Sequence, residues 1–265
     1  MSEQKTFSLI TGASNGIGLG LAEECASRGW NVLLIALPEP KLEEAKAHLT
    51  DKYPNQQFDS LGIDLMKKEA PQAIYDWCKE NGYVVDKLMN NAGLGNSGAF
   101  ETKPASFYYG QMQLNMVSLV MLTHHFLEEM KSIPKAYILN VGSMASFYDI
   151  PFKGIYAASK RFVYSFSRSL REELKDANVS ITVLCPAAVL TNPDVLARNE
   201  QMGWLSKLTQ ATPAVVAKFT IDKLLQGKAV AIPGAVPRFY KKLGSIMPYN
   251  MKMRILAKQF KKQQQ

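Results

Sequence analysis

Short apolar runs alternate with longer amphipathic stretches over most of this chain, a pattern that few folds satisfy. Apolar runs of strand length separated by helices imply parallel strands, because each connection returns across a face of the sheet through a helix. The pattern predicts an α/β fold, a doubly wound parallel sheet of about seven strands with helices on both faces. Strand candidates are residues 6–11, 31–37, 57–64, 85–91, 136–143, 180–186 and 229–234. Helical patterns cover roughly 17–28, 41–52, 67–81, 104–131, 154–177 and 213–226.

The domain organisation follows from length and composition. With 265 residues, of which 47% are apolar, the chain is long enough to bury a large core. No repeat, linker or break in composition divides residues 1–235, which we predict to be a single domain, followed by a basic C-terminal extension at 236–265. Open parallel sheets bind ligands at the carboxyl ends of their strands, so the loops there are the place to look for chemistry.

The net charge of +8 lies entirely in the C-terminal part of the chain. From Ala229 onward there are eight Lys and Arg residues and no acid, so residues 1–228 are formally neutral. A protein that binds nucleic acid usually spreads basic residues over one face of its fold, so no nucleic acid partner is predicted.

The end of this extension has the pattern of an amphipathic helix. A helix over 249–262 places apolar residues on one side and basic residues opposite. The apolar set is Tyr249, Met253, Leu256, Ala257 and Phe260, and the basic set is Arg254, Lys258, Lys261 and Lys262. We favour docking of the apolar side on the parent domain or a second subunit, with peripheral contact to an anionic membrane surface as the alternative.

Cysteine and histidine usage argues against disulfides and metal sites. Cys25, Cys78 and Cys185 are far apart and form no C-x-x-C pair, which favours a reducing compartment. The three histidines lack the spacing of metal ligands, so no metal is predicted. The N-terminal residues lack the features of a secretory signal, and no apolar run reaches the roughly 18 residues of a membrane span. We therefore expect a cytoplasmic protein, with the membrane surface as the alternative.

The loop after the first strand reads TGASNGIG, from Thr11 to Gly18. Gly12, Gly16 and Gly18 allow a tight turn, and the helix that begins at once has free N–H groups and a positive dipole end that suit a pyrophosphate. Taken alone, the segment is equally a glycine-rich turn without a ligand. It matches in full the T-G-x-x-x-G-x-G of the short-chain dehydrogenase/reductase family, which the chain resembles.

Three further matches follow in the family's order. NNAG at 90–93 closes the fourth strand, and Asn115 lies inside the helix that follows. Ser143 ends the fifth strand, thirteen residues before Tyr156 and seventeen before Lys160. The chain is thus identified as a member of this family from about residue 6 to residue 234, and its basic tail resembles that of the DltE-like subgroup. The resemblance implies a Rossmann fold, an NAD(P) cofactor and a substrate lid at about 191–212.

The resemblance also assigns roles to individual residues. The implied catalytic residues are Asn115, Ser143, Tyr156 and Lys160. Tyr156 would exchange the proton, Ser143 orient the substrate, Lys160 also hold the nicotinamide ribose, and Asn115 hold a water on the proton path. The implied cofactor contacts are Gly12, Ser14, Asn15, Gly16, Ile17, Gly18, Asp64, Leu65, Asn91, Ala92, Gly93, Tyr156, Lys160 and Thr191. The family usually has Pro-Gly after the sixth strand, whereas this chain has Pro186 and Ala187 before Thr191.

The spacing of Tyr156 and Lys160 bears on the acidity of the phenol. Positions i and i+4 share a helix face, so both side chains reach one site. A free tyrosine has a pKa of about 10, roughly three units above neutrality, which corresponds to about 4 kcal/mol. One ammonium about 4 Å away supplies about that much at an effective dielectric constant of about 20. We therefore expect Lys160 to lower the pKa of Tyr156.

The end of the second strand usually separates NAD from NADP enzymes, because an acid there binds the ribose 2′-hydroxyl and an arginine accepts a 2′-phosphate. This chain has Ala36 and Leu37 at that point, with Glu39 two residues further on, and no basic residue at Asn15 in the glycine loop. No acid stands at the strand end to repel a phosphate, and relatives with this tail typically read Ala-Arg there. NADP(H) is favoured over NAD(H).

The predicted activity is that of a short-chain NAD(P)-dependent oxidoreductase, which interconverts a carbonyl and an alcohol on a small apolar substrate. Apolar residues in the lid, and Phe147, Tyr148 and Phe152 after Ser143, favour an apolar pocket. The alternatives are a 3-oxoacyl-thioester reductase of lipid metabolism and a non-catalytic NADP-binding regulator; the regulator is disfavoured because the implied catalytic residues are all present. Family members usually pair through long helices, so a homodimer or homotetramer through 104–131 and 154–177 is expected.

Overall fold

The computed structural model describes residues 5–187, 189 and 211–261, so the predicted lid lies almost entirely outside it. Within these residues the strands are β1 (Thr6–Thr11), β2 (Asn31–Ala36), β3 (Phe58–Gly62), β4 (Val84–Asn90), β5 (Ala136–Val141), β6 (Val179–Leu184) and β7 (Val230–Ala231). They form one sheet in the order β3-β2-β1-β4-β5-β6-β7, and all neighbours run parallel. The chain order reverses between β1 and β4. The predicted doubly wound parallel sheet is confirmed.

Helices cover both faces of this sheet. In the described ranges they are α1 (Gly16–Ser27), α2 (Pro40–Lys52), α3 (Ala70–Glu80), α4 (Ala105–Met112), α5 (Ser118–Ser132), α6 (Gly154–Glu173), α7 (Pro213–Leu225), α8 (Ala235–Ile246) and α9 (Tyr249–Lys261). Helices α1, α2 and α7 share one apolar core with one face of the sheet. Helices α3 and α5 share a second core with the opposite face.

The strand sequences explain why the sheet is covered on both sides. Leu33, Leu34 and Ile35 are consecutive in β2, and each is 0% exposed, so both faces of this strand are buried. A strand with one solvated face alternates apolar and polar residues, whereas a strand buried on both faces is apolar throughout. Proline and capping residues then set the helix starts. In α7, Thr212 accepts a hydrogen bond from the N–H of Val215, and Pro213 occupies the first turn.

Two elements differ from the sequence prediction. The helix expected over 104–131 is interrupted by a π-helical segment, Gln113–Val117, between α4 and α5. A π-helical turn holds one residue more than an α-helical turn. Hydrophobic periodicity does not reveal this residue, because the apolar pattern continues after the segment. The sequence pattern also gave no helix at Ala235–Ile246, where Pro237 and Gly244 weaken the signal. Pro237 lies in the first turn, where its missing N–H costs nothing.

Polar side chains connect the helices to the centre of the sheet. The Asn90 amide donates to Asn140 Oδ1 (2.9 Å) and to Thr123 Oγ1 in α5 (3.2 Å). The Asn140 amide donates to Ser167 Oγ in α6 (3.0 Å). All four residues are buried. In that setting each hydrogen bond is worth more than at the surface, and an unpaired group costs about 1–3 kcal/mol. The network fixes α5 and α6 against β4 and β5.

The C-terminal helix α9 turns its apolar side toward the rest of the protein. Met253 lines a small pocket together with the segment that leads into α6, and the Lys153 ammonium lies 5.1 Å from the centre of the Phe260 ring. Tyr249, which the helical projection assigned to the same side, is 57% exposed. This arrangement agrees with the favoured alternative, docking on the parent domain. None of the described helices is both long and apolar enough to cross a bilayer.

Replacing Asn140 with alanine should lower the free energy of unfolding by about 3 kcal/mol, because it removes two buried hydrogen bonds and leaves the Asn90 amide short of an acceptor. Urea unfolding followed by tryptophan fluorescence measures the change. The matched control is Asn178→Ala, at an exposed position in the turn before β6. Equal effects of the two substitutions would show that the network does not stabilise the fold.

Candidate active site

The loop between β1 and α1 has a backbone that requires glycine. Gly12 and Gly16 have φ values of 65° and 55°, in the left-handed region that favours glycine. A Cβ added at Gly18 would overlap the carbonyl oxygen of Gly12, so the start of α1 packs directly on the loop. No side chain of the described residues caps this helix at Asn15. Its first N–H groups are therefore available to an anion, as the sequence predicted for a pyrophosphate.

The segment after β4 holds the glycine loop in place. Thr11 Oγ1 accepts hydrogen bonds from the N–H groups of Asn91 and Ala92, both at 2.9 Å. The Asn91 amide donates to the carbonyl oxygens of Thr11 (2.8 Å) and Gly12 (3.2 Å). Asn91 and Ala92, predicted as cofactor contacts, therefore hold the loop through Thr11 and Gly12. Sequence reasoning gave Thr11 no role, although it is the first residue of the quoted motif.

Tyr156 and Lys160 lie on one face of α6 and point toward the end of β5. Lys160 Nζ donates to the carbonyl oxygen of Val141 (2.8 Å) and lies 6.0 Å from the centre of the Tyr156 ring. Ser143 follows β5, and its hydroxyl interacts with the Tyr156 phenol. Ser143 Oγ also accepts from the Ala145 N–H (3.1 Å) at the start of a short 3₁₀ turn, Met144–Phe147. The structure thus brings the predicted serine, tyrosine and lysine together.

Asn115 joins this group from the π-helical segment. Its Oδ1 accepts from the Leu94 N–H (2.8 Å), and its Nδ2 donates to the Leu94 carbonyl (2.9 Å) and to Ser159 Oγ (3.1 Å). A Cβ added at Gly93 would lie 3.1 Å from Lys160 Nζ and 3.3 Å from Asn115 Oδ1. Gly93 therefore lets the chain after β4 pass between these two side chains. A side chain in a π-helical segment is displaced from the regular helical register, which directs Asn115 toward this loop.

Burial disfavours the charged forms of both Tyr156 and Lys160, and it shifts the pKa of each accordingly. Burial raises the pKa of Tyr156 above its usual value, and the hydrogen bond with Ser143 offsets part of that rise. The residue as a whole keeps some exposed surface, and desolvation is nevertheless the largest cause of the raised pKa. Burial also lowers the pKa of Lys160 to about 8. The expectation that Lys160 lowers the phenol pKa is therefore wrong: desolvation is the largest cause of the raised pKa of Tyr156, and Lys160 is not among the causes of the shift.

Cys185, directly after β6, is a neighbour that sequence reasoning did not connect with the site. The thiol is buried, which raises its pKa to about 12, and Ser146 and the backbone of Ser143 lie within hydrogen-bonding reach. Ser146 Oγ donates to the Lys160 carbonyl (2.8 Å) and so links the 3₁₀ turn to α6. With its pKa raised, the thiol stays protonated at neutral pH and adds no charge beside Tyr156.

The remaining predicted cofactor residues lie along the same edge of the sheet. Ser14, Asn15 and Ile17 are in the first turn of the loop and helix α1. Asp64 Oδ1 accepts from the Met66 N–H (2.9 Å), which is the role of an ordinary turn residue, and Leu65 is 5% exposed. At the end of β2, Leu37 is 48% exposed. Thr191 lies outside the described residues.

The aromatic residues after Ser143 do not all face the catalytic group. The Phe147 ring packs edge-on against Tyr164 (5.0 Å between centroids), and the Tyr148 hydroxyl donates to the Tyr240 carbonyl in α8 (2.6 Å). Both side chains pack between α6 and α8. Gly95 approaches the Tyr156 ring instead, since a Cβ there would lie 3.6 Å from it. In the described chain no cluster of histidine, cysteine or acidic residues suits a metal ion.

Comparison with known proteins gives a consistent result. A family model described as short chain dehydrogenase matches residues 6–201. The 3-oxoacyl-[acyl-carrier-protein] reductase FabG of Haemophilus influenzae is 29% identical over 77% of this chain and 83% of its own length. The uncharacterized oxidoreductase DltE of Bacillus subtilis is 29% identical over 73% of this chain and 75% of its own length.

Solved structures extend the comparison to the fold. A short-chain dehydrogenase from Sphingobium yanoikuyae in complex with NADPH is 26% identical, with a TM-score of 0.76 over 92% of this chain and 96% of that one. A short chain dehydrogenase/reductase from Burkholderia phymatum in complex with NAD has a TM-score of 0.78 at 24% identity, over 92% of this chain and 94% of that one. One of these two solved structures therefore contains NADPH, and the other contains NAD.

Replacing Lys160 with methionine should change stability in a pH-dependent way. The folded-state pKa of about 8 lies below the usual value of 10.5, so the unfolded wild type binds more protons between those values. Wild-type stability should then rise relative to the variant, by about 2 kcal/mol from about pH 7 to about pH 10. Urea unfolding of both proteins at the two pH values measures this change. Titration of the cysteines affects wild type and variant equally, so it cancels when their free energies of unfolding are subtracted. A constant difference would contradict the burial of the amine.

Proposed function

The chain belongs to the short-chain dehydrogenase family, and we propose that it is an NADP(H)-dependent oxidoreductase that interconverts a carbonyl and an alcohol on a small apolar substrate. The observation that carries the proposal is the meeting of Ser143, Tyr156 and Lys160 at the end of β5, beside a glycine loop whose helix has no side-chain cap in the described chain. Residues 1–235 would be the catalytic domain and 236–265 an extension.

The glycine loop and Lys160 fit a dinucleotide. The N–H groups at the start of α1 suit its pyrophosphate, and the Lys160 ammonium suits ribose hydroxyls near the end of β5. When bound, the nicotinamide supplies or accepts the hydride. The protein contributes position, a proton and an electric field. Gly93 and Gly95, which pass close to Lys160 and Tyr156, leave the space that a flat ring needs beside them.

The buried phenol is suited to act as an acid. Because burial holds its pKa above the usual value, Tyr156 keeps its proton at neutral pH. In reduction, Ser143 would hold the carbonyl oxygen, and Tyr156 would transfer its proton to that oxygen as negative charge develops there. The charge then passes to the phenol oxygen, where the Lys160 ammonium stabilises it. With a pKa of about 8, Lys160 remains mostly charged at neutral pH.

A 3-oxoacyl-thioester reductase is the second candidate for the reaction. Its support is the 29% identity to FabG of Haemophilus influenzae over 206 residues. The thioester's ketone would occupy the same position against Ser143 and Tyr156. A non-catalytic regulator has less support, because binding alone gives no reason for a phenol, a hydroxyl and an ammonium to converge. A screen of NADPH oxidation with ketones, aldehydes and acyl thioesters separates these candidates.

Assembly and location stay predictions. Pairing of two or four copies through the helices at 104–131 and 154–177 agrees with an outer face of α6 on which Phe162 and Phe166 stack, with ring centroids 6.0 Å apart. Phe162 is 41% exposed, and a subunit contact over this face would cover it. Sedimentation velocity measures the number of copies. The cytoplasm remains the expected location.

Tyr156→Phe should reduce turnover by a factor of about 10³ or more, since the substrate oxygen loses its proton donor. Cofactor affinity should change by less than about threefold, because the ring remains in place. Initial rates with NADPH and a ketone substrate, together with quenching of protein fluorescence by NADPH, give the two values. Tyr164→Phe, two turns along the same helix, is the matched control. Activity of Tyr156→Phe close to that of the control would refute the proposed acid.

The end of β2 should determine the cofactor. Wild type should bind NADPH about tenfold more tightly than NADH, because Leu37 places no acid where the 2′-phosphate lies. Leu37→Asp should reverse this preference by repelling the phosphate and accepting from ribose hydroxyls, whereas Leu37→Ser should leave it unchanged. Fluorescence titration of the three proteins with both cofactors is the measurement. A wild type that prefers NADH would contradict the assignment of NADP(H).

A further inference from the structure

A second concave site lies along the β7 edge of the sheet, between α6, α7 and α8. It is a groove of about 1130 Å³, lined by eighteen of the described residues. Eight of the eighteen are lysine or arginine, and none is acidic. The sequence showed a basic tail, but the groove combines tail residues such as Lys241 and Lys242 with Arg168, Lys223 and Lys228 from the formally neutral part of the chain.

Most cations of this groove are not neutralised by a carboxylate of the described residues. Of the eight, only Arg161 has a carboxylate within ion-pair distance among the described residues, Asp149 at 3.1 Å. Arg238 Nε donates to the Gly234 carbonyl (3.0 Å), and Lys252 Nζ donates to the Gly244 carbonyl (3.3 Å). A neutral carbonyl positions an ammonium or guanidinium but leaves its charge. The groove therefore keeps a concentrated positive field.

Aromatic rings and hydroxyl groups complete the lining. Lys241 Nζ lies 4.7 Å from the centre of the Phe147 ring and 5.9 Å from that of Tyr164. Ser165 and Ser169 line the wall that α6 contributes. The α6 positions in the groove belong to a stripe next to the one that presents Tyr156 and Lys160, neither of which lines it. The groove is thus separate from the candidate active site.

We propose that this groove binds a ligand with clustered phosphate groups. Guanidinium and ammonium groups with nearby hydroxyls are the donors that proteins use for phosphate. The clustered cations repel one another, and a bound polyanion would relieve this repulsion. A second copy of this chain does not relieve it where the two-fold axis passes through the groove, since the same cations would then face one another. The site does not depend on the proposed oxidoreductase activity.

Two sources of phosphate fit this chemistry, a soluble phosphorylated molecule and the headgroups of anionic lipids. The lipid source is suggested by the outer face of α8 beside the groove, where Phe239 is 61% exposed and Ile246 is 79% exposed. Apolar side chains next to cations are typical of surfaces that insert into a lipid headgroup layer. Only with lipid as the source should Phe239 and Ile246 contribute to binding.

The test uses the full-length protein and tripolyphosphate, with affinity measured by calorimetry at low ionic strength. Lys223→Gln, Lys228→Gln and Lys242→Gln combined should weaken binding at least about tenfold. The control combines Lys135→Gln, Lys175→Gln and Lys218→Gln, with the same change in net charge away from the groove, and should bind like wild type. Tyr156→Phe should also bind like wild type. Thermal melts verify that each variant is folded.

The same proteins are then sedimented with vesicles of phosphatidylcholine alone or with a quarter of phosphatidylglycerol. Binding that requires phosphatidylglycerol, is lost in the groove variant and falls at least about threefold in Phe239→Ser/Ile246→Ser supports the groove with lipid as the source. Tripolyphosphate binding without vesicle binding supports the groove with a soluble ligand. The proposal is overturned if neither probe binds, or if the groove and control variants lose affinity equally. It is also overturned if the groove variant binds tripolyphosphate as wild type does, which would place the anion elsewhere, for example at the glycine loop.

Discussion

One hydroxyl group, that of Thr11, connects the two loops on which the site is built. It accepts two backbone hydrogen bonds from the segment after β4, while Asn91 returns two to the glycine loop. Hydrogen bonds therefore join the loop that suits a pyrophosphate to the loop that leads to Asn115 and Lys160. From Ala92 the chain continues to Gly93, which fits between Asn115 and Lys160 because it has no side chain. Under the proposed function, a cofactor held by the first loop would lie against the residues of the second.

Burial has opposite consequences for structure and for catalysis in this site. A closed environment fixes Tyr156 and Lys160 in position, but it also raises the pKa of the phenol and lowers that of the amine. Simple Coulomb arithmetic at about 4 Å predicts the reverse for the phenol. It omits the desolvation of both groups, and the Lys160 ammonium donates to the Val141 carbonyl at 6.0 Å from the centre of the Tyr156 ring. The protein alone therefore keeps Tyr156 protonated, as an acid needs to be. Under the proposed function, the Lys160 ammonium would stabilise the phenolate once the proton has been transferred.

Sequence reasoning predicted the elements that depend on local pattern. The strands of the sheet and most helices follow from apolar runs and capping residues, and the ordered motifs place Ser143, Tyr156 and Lys160 at one edge. It failed where tertiary packing decides. The π-helical segment around Asn115 is invisible to periodicity, and α8 contains a proline and a glycine that argue against a helix. Gly244 is nevertheless required there, since a Cβ would lie 2.6 Å from the Tyr148 ring. Thr11 carried no signal of its function beyond its place in the motif.

The distribution of charge shows a further limit of sequence reasoning. Residues 1–228 are formally neutral, which suggests that only the tail interacts with anions. The net charge of a segment is only the sum of its charges, however, whereas the electric field at a surface depends on where each charge lies. Acids of this segment pair elsewhere, as Glu24 and Asp222 do with Arg28, or Glu129 with Lys79. Among the described residues, no acid pairs with Arg168, Lys223 or Lys228, which lie on the edge where α8 adds its own cations. A tail that is basic in sequence thus becomes one wall of a groove whose other walls come from a neutral chain.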